Sequence, residues 1–179
     1  MDLPNLNHFS HISTMIKAAA AFDELREQQR QSALAWDTYF MQMAKLVASK
    51  SKDKSTQCGA VVVGDGQTIL ATGYNGFPRY VNDNVPERHE RPEKYFWTEH
   101  AERNAIYNAA RNGSKLLSST MYITGHPCAD CARAIIQAGI VRVILPEKDP
   151  FLLLDRWTES VTKAKTLLKE AGVDIINVV

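Results

Sequence analysis

The chain has 179 residues, 45% apolar and 23% charged, with 21 basic against 20 acidic side chains for a formal net charge of +1. That length suits one domain with a buried core, and so even a charge balance gives no global attraction to nucleic acid or to an anionic membrane. No apolar run approaches the ~20 residues needed to cross a bilayer.

Residues 1–21 lack the charged start, apolar middle and cleavage site of a secretory signal. Three cysteines, two of them in a C-x-x-C, make no disulfide framework. The expected setting is a reducing cytoplasm.

In chain order, residues 1–11 carry Pro4, Asn5, Asn7 and two histidines without periodicity and read as a flexible lead. Ser13 to Gln31 is rich in Ala, Glu, Arg and Gln and favours helix. Its apolar stripe of Ile16, Ala20, Leu25 and Leu34 is thin, as expected for an accessory helix or an oligomer contact. Trp36, Tyr39, Phe40, Met43, Leu46 and Val47 recur at helical spacing, predicting an amphipathic helix over 35–49. The domain boundary is therefore placed at 34, with a partly helical extension over 1–34 and one domain over 35–179.

A polar loop with Lys50, Lys52 and Lys54 follows. Cys58 to Val63 and Thr68 to Tyr74 are β-rich runs joined by Gly64-Asp65-Gly66, a hairpin signal. Gly76 to Pro92 holds three prolines and predicts a long loop, of the kind that usually carries function. Helix is expected over Thr98 to Asn112, from Pro127 to Ala138 and over Thr158 to Ala171, each ended by a glycine signal. Strands are expected at Thr120 to Thr124, Val141 to Leu145 and Val173 to Val179. Alternating strand and helix implies right-handed βαβ units. The fold class is α/β: three layers, α/β/α, around a mixed five-stranded sheet, largely parallel in its second half.

The chemistry concentrates in His100-Ala101-Glu102 and Pro127-Cys128-Ala129-Asp130-Cys131. One His and two Cys close three corners of a tetrahedral zinc site and leave the fourth open, as catalytic zinc requires. Glu102, two residues after the His, is placed to move protons without binding the metal. The two thiols share a helix face at i, i+3, at a helix start whose dipole favours thiolate. A structural zinc would need another protein ligand, and Cys58 opens a β-rich run where a core role is expected. His126, before Pro127, reads as pocket-lining or structural. A redox C-x-x-C would need neither His100 nor Glu102.

H-x-E with P-C-x-x-C is an established signature of zinc nucleobase deaminases, matched here as a known pattern. Beyond it the chain carries Trp36-Asp37-Thr38-Tyr39-Phe40-Met41, Ser51-Lys52-Asp53, Gln57-Cys58-Gly59-Ala60-Val61, Gly73-Tyr74-Asn75-Gly76-Phe77-Pro78, Lys94-Tyr95 and Ile135-Ile136-Gln137-Ala138-Gly139-Ile140. From about Trp36 to Val173 it resembles the deoxycytidylate (dCMP) deaminases of the cytidine deaminase-like superfamily. Arg103, Trp157 and Lys54 depart from the residues usual there.

The resemblance implies Zn2+ on His100, Cys128 and Cys131, with Glu102 as the catalytic proton carrier. It implies a substrate contact at Asn75 (the sugar hydroxyl), although Asn75-Gly76 also reads as a turn pair at a strand exit. The backbone around Ala101 is a candidate for the base edge, and Tyr74 is a candidate contact that fits packing better. It also implies hydrolysis of dCMP to dUMP and ammonia, supplying dUMP for thymidylate synthesis, in a homo-oligomer (hexamer or dimer) with dCTP and dTTP as effectors. Lys50, Lys52, Lys54, Arg79, Arg88, Arg91 and Lys94 are the candidates for holding the phosphate. Alternatives are a zinc deaminase of CMP, dCTP, modified dCMP or tRNA adenosine, or a zinc-stabilised binding module without turnover. The near-zero net charge speaks against tRNA, and Glu102 speaks against a purely structural site.

Overall fold

The predicted hairpin forms because Gly66 takes the left-handed turn conformation (φ 62°) that the tight reversal needs. In the computed structural model, which describes residues 7–148 and 155–178, strand β1 (Gly59–Gly64) pairs antiparallel with β2 (Thr68–Tyr74) and with β3 (Thr120–Ile123). Strands β4 (Arg142–Pro146) and β5 (Asp174–Val178) continue the sheet in parallel with β3, in the order β2-β1-β3-β4-β5. The mixed five-stranded sheet, parallel in its second half, is as expected.

The helices are α1 (Asn7–Ala48), the single turn α2 (Lys94–Trp97), α3 (Ala101–Asn112), α4 (Ala129–Gln137) and α5 (Asp155–Glu170). Side chains from the two faces of β1 go to opposite cores, as strand alternation dictates. Ala60 and Val62 join Ala105 of α3, Ile135 of α4 and Leu168 of α5. Val61 and Val63 join Phe40, Met41 and Ala44 of α1. The layers are thus residues 37–48 of α1, the sheet, and α3 with α4 and α5.

Two expectations about the chain before the sheet are corrected. Helix begins at Asn7, so 7–11 is no irregular lead, and it runs unbroken through the expected junction near residue 34. The run is rich in Ala, Gln, Glu and Arg and contains neither Gly nor Pro, so nothing stops helix propagation. By compactness the chain still divides into two units, up to Trp36 and from Asp37. In the first unit Met15, Ile16, Phe22 and Leu25 are exposed. Residues 1–6 and the Leu34 side chain lie outside the described residues.

Gly76 to Pro92 is largely loop, as predicted, with a 3-10 turn at Pro86–His89. The next helix was expected from Thr98, but α2 ends at Trp97 and α3 starts at Ala101. His100 is its extended N-cap (φ −78°, ψ 155°), while Glu99 bridges to Gly76. Likewise α4 opens at Ala129 with Cys128 as N-cap rather than at Pro127. No described helix is long and apolar enough to cross a membrane.

Candidate metal centre and active site

Two helix N-termini meet at one end of the sheet, and close backbone approach brings them there. A Cβ on Gly73 of β2 would stand 2.3 Å from the Ala105 nitrogen and 2.4 Å from the Ala101 oxygen. Only glycine lets α3 lie this close to the strand, which carries His100 and Glu102 inward. The start of α4 is held from α5: the Ala129 N–H donates to Ser160 Oγ at 3.0 Å. The His100 N–H donates to Glu99 Oε1 at 3.1 Å.

The structure brings His100, Cys128 and Cys131 together, with ligand atoms all within 4.8 Å of one another. His100 Nδ1 lies 3.5 Å from each sulfur. A tetrahedral ion with bonds of ~2.3 Å to sulfur and ~2.0–2.1 Å to nitrogen spaces S and N by about 3.5 Å, so the set fits zinc. The electrostatics agree. The neighbouring Cys131 thiol and the His100 ring pull Cys128 down to about 4 against the effect of burial. Cys131, facing that thiolate in a buried setting, is pushed well above the usual thiol range. Cys128 is thus a thiolate beside a Cys131 thiol that keeps its proton, and a cation bound between the two sulfurs would be needed to hold both as thiolates.

Glu102 is buried in the same cavity, and burial pushes its carboxyl above the usual range. His100 is raised despite burial, because Cys128 and Glu102 favour its cation. Trp157 packs edge-on to His100 with centroids 5.8 Å apart, and Tyr95 stands edge-on to Trp157 at 6.5 Å. These rings wall a small cavity of about 80 Å³ whose floor includes Ala101, Ile123 and Gly125. His126 lines it, and Cys58, expected as a buried core residue, is instead half-buried, packed against the core while bordering this cavity; both lie outside the ligand cluster.

Asn75 also lines the cavity, and its amide is held on both ends. Oδ1 accepts from the Cys58 N–H at 2.7 Å, and Nδ2 donates to the Thr56 carbonyl at 2.8 Å. Tyr74 is not brought in. Its side chain is half-exposed and lines a second cavity, of about 630 Å³, together with Lys50, Lys52, Lys54 and Arg79. The wall shared by the two cavities is the buried pair Lys94 Nζ to Asp53 Oδ2, 2.6 Å, with Lys94 also donating to Ser55 at 3.0 Å.

Of the basic candidates only Arg91 and Lys94 reach the site cavity; Arg88 instead stacks 3.8 Å over Trp97. Sequence reasoning missed Arg156, which lines the cavity mouth from the first turn of α5, and Ser160. The run Asp155-Arg156-Trp157 at a helix start was the available signal for Arg156. Nothing local marked Ser160.

A family model described as "Cytidine and deoxycytidylate deaminase zinc-binding region" matches residues 34–147. The chain belongs to the cytidine and deoxycytidylate deaminase family. The mouse deoxycytidylate deaminase is 38% identical over 153 residues, 82% of this chain and 81% of the mouse protein. The human deoxycytidylate deaminase is 37% identical over 157 residues, 84% of this chain and 83% of the human one. Among solved structures, the dCMP deaminase from the cyanophage S-TIM5 in complex with dCMP and dUMP is 27% identical. It covers 78% of this chain and 94% of its own, with a TM-score of 0.64. Within this deaminase family the fold is shared almost throughout the cyanophage protein.

Proposed function

We propose that this deaminase hydrolyses the exocyclic amine of dCMP, yielding dUMP and ammonia. The observation that carries the reading is one buried carboxylate, Glu102, in the same cavity as the His100, Cys128 and Cys131 ligand cluster. A structural relative that holds dCMP and dUMP supports the substrate. His100 through Nδ1 and the two cysteine sulfurs would hold zinc. The metal supplies Lewis acidity that lowers the pKa of water toward neutrality.

The remaining work falls to the chain. Glu102 accepts the proton of the attacking water and delivers it to cytosine N3, which makes C4 electrophilic. After attack at C4, Glu102 carries a proton to the amine, which leaves as ammonia while the carbonyl of uracil forms. Burial raises its proton affinity, which suits a group that must both take and give a proton. The backbone at Ala101 and the turn from Thr124 to His126 would hold the base edge. Asn75, fixed by its bonds to Cys58 and Thr56, would present its free lone pair to the sugar hydroxyl. Tyr95 and Trp157 keep bulk water from the reacting carbon.

Lys94 is committed to Asp53 and Ser55, so Arg91 and Arg156 are the better phosphate partners. Two charge-assisted contacts at about 1.5–3 kcal/mol each would separate nucleotide from nucleoside. The same reading takes residues 35–179 as the catalytic domain and 1–34 as an extension. It places the protein in the cytoplasm as a homo-oligomer, with the lysine-lined second cavity suited to a polyanionic effector such as dCTP or dTTP. Ammonia release from dCMP, CMP, dCTP, deoxycytidine and tRNA tests it. Highest efficiency on dCMP is expected, and equal efficiency on deoxycytidine would remove the nucleotide assignment.

A further inference from the structure

The Asp53–Lys94 ion pair stands on the wall between the two cavities, with Nζ 2.6 Å from Oδ2. Buried pairs often stabilise no more than apolar side chains of the same volume, so stability alone does not account for one at this place. The other carboxylate oxygen is fully engaged. Asp53 Oδ1 accepts from the Ser55 N–H at 2.9 Å, from Ser55 Oγ at 2.8 Å and from the Thr56 N–H at 3.2 Å. This Asx turn fixes the loop whose Thr56 carbonyl accepts from Asn75 Nδ2 at 2.8 Å. Asp53 Oδ2 itself lies 3.5 Å from the same nitrogen. The Asn75 backbone is tied to the same corner. Its carbonyl accepts from Ser51 Oγ at 2.7 Å, and that oxygen in turn accepts from the Asp53 N–H at 3.2 Å.

We infer that Asp53 is the positioning residue for Asn75, fixing which end of its amide meets the substrate sugar. Turning the amide end for end would set Oδ1 against the Thr56 carbonyl and the Asp53 carboxylate, and Nδ2 against the Cys58 N–H. Acceptor would face acceptors and donor would face donor. One orientation survives, in which Oδ1 takes the Cys58 N–H at 2.7 Å and keeps a lone pair for a hydroxyl donor. Lys94, on α2, holds the carboxylate in place from its other side. The free hydroxyl of the dCMP sugar is the 3′-OH, so the network selects nucleotides that carry it. The inference rests on the sugar contact proposed above for Asn75.

The test compares kinetics on dCMP with kinetics on 2′,3′-dideoxycytidine 5′-monophosphate, which lacks that hydroxyl. Native protein should prefer dCMP about tenfold in kcat/KM, the worth of one well-oriented hydrogen bond. In Asp53→Asn, at native zinc content, the preference should collapse toward parity. The change should appear mainly as a higher KM for dCMP, because a sugar contact is made in ground and transition states alike. Adding Asn75→Ala to Asp53→Asn should deepen the loss on dCMP little, since residues that act as one unit are not additive. Asp53→Glu keeps a charge facing Lys94 but moves the carboxylate out of the turn. It answers the same question should Asp53→Asn not fold, with the preference again expected to fall. A folded Asp53 variant that loses efficiency equally on both nucleotides, or losses that add in the double variant, would overturn the inference. Parity in the native protein would instead remove the Asn75 sugar contact itself.

Discussion

Cys58 borders the same cavity as the ligand cluster, yet its sulfur lies outside it. Cys58→Ser should therefore retain metal, while Cys128→Ser should lose both metal and turnover; metal analysis of the two purified variants checks this. Arg156 carries a second expectation. Arg156→Ala should raise KM for dCMP and leave deoxycytidine kinetics unchanged, because a nucleoside offers it no phosphate. An equal loss on both substrates would move Arg156 from phosphate binding to a structural role. At this scale the sequence was informative where spacing along one helix start sets geometry. Cys128 and Cys131 are i, i+3, and His100 and Glu102 flank one first turn. It was uninformative for Arg156, Ser160 and the orientation of Tyr74, which depend on how separate elements pack.

Between elements, the loop after α1 is tied to α2 by the Asp53–Lys94 pair, with side-chain exposures of 13% and 9%. Burial works against the Asp53 charge, but Lys94 and Ser55 outweigh it and hold the carboxyl below its usual 3.8. Removing one partner of such a pair leaves a buried charge and costs about 3–5 kcal/mol. Because the folded value is the lower one, the stabilisation is complete above pH 3.8 and disappears as the pH falls through the folded value. The stability gap between native protein and Asp53→Asn in denaturant melts should follow that course; comparing the two cancels the acid loss of metal common to both. A gap independent of pH would mean that the ion pair is not its source.

The elements themselves were mostly legible. Strand alternation and turn glycines located all five strands to within a residue or two. The single turn α2 was not, because four residues carry no periodicity. The continuous α1 differs from the two helical stretches expected over 13–31 and 35–49, because propensity alone sustains helix between them. Gly73 gave no local sign of its role, because the close approach that requires it is to α3, a different element. Gly73→Ala must push backbone against backbone and should cost about 1–3 kcal/mol, read as a lowered Tm with reduced turnover.

For the whole molecule, a metal held by the folded state alone links binding to stability. At a free concentration of about 100 times Kd it contributes about 2.7 kcal/mol, which in a chain of this size is a shift of roughly 5–10 °C in Tm. Chelation should lower the melting temperature by that order, and an unchanged melt would place the ion outside the folded core. Removal of residues 1–34 should leave dCMP turnover intact, since every residue of the proposed site lies beyond Asp37. Loss of turnover on truncation would make the extension part of the catalytic unit. At this scale the family and its fold were readable from motif order along the chain. Assembly was not, because the motifs describe one chain's interior.

Zinc content and dCMP turnover, measured on the same preparations of native protein and Glu102→Gln, bear most directly on the division of labour between metal ligands and proton carrier. Both proteins should carry about one zinc per chain, with turnover in the variant lower by on the order of a hundredfold or more. Loss of zinc from Glu102→Gln, or turnover close to native, would contradict it.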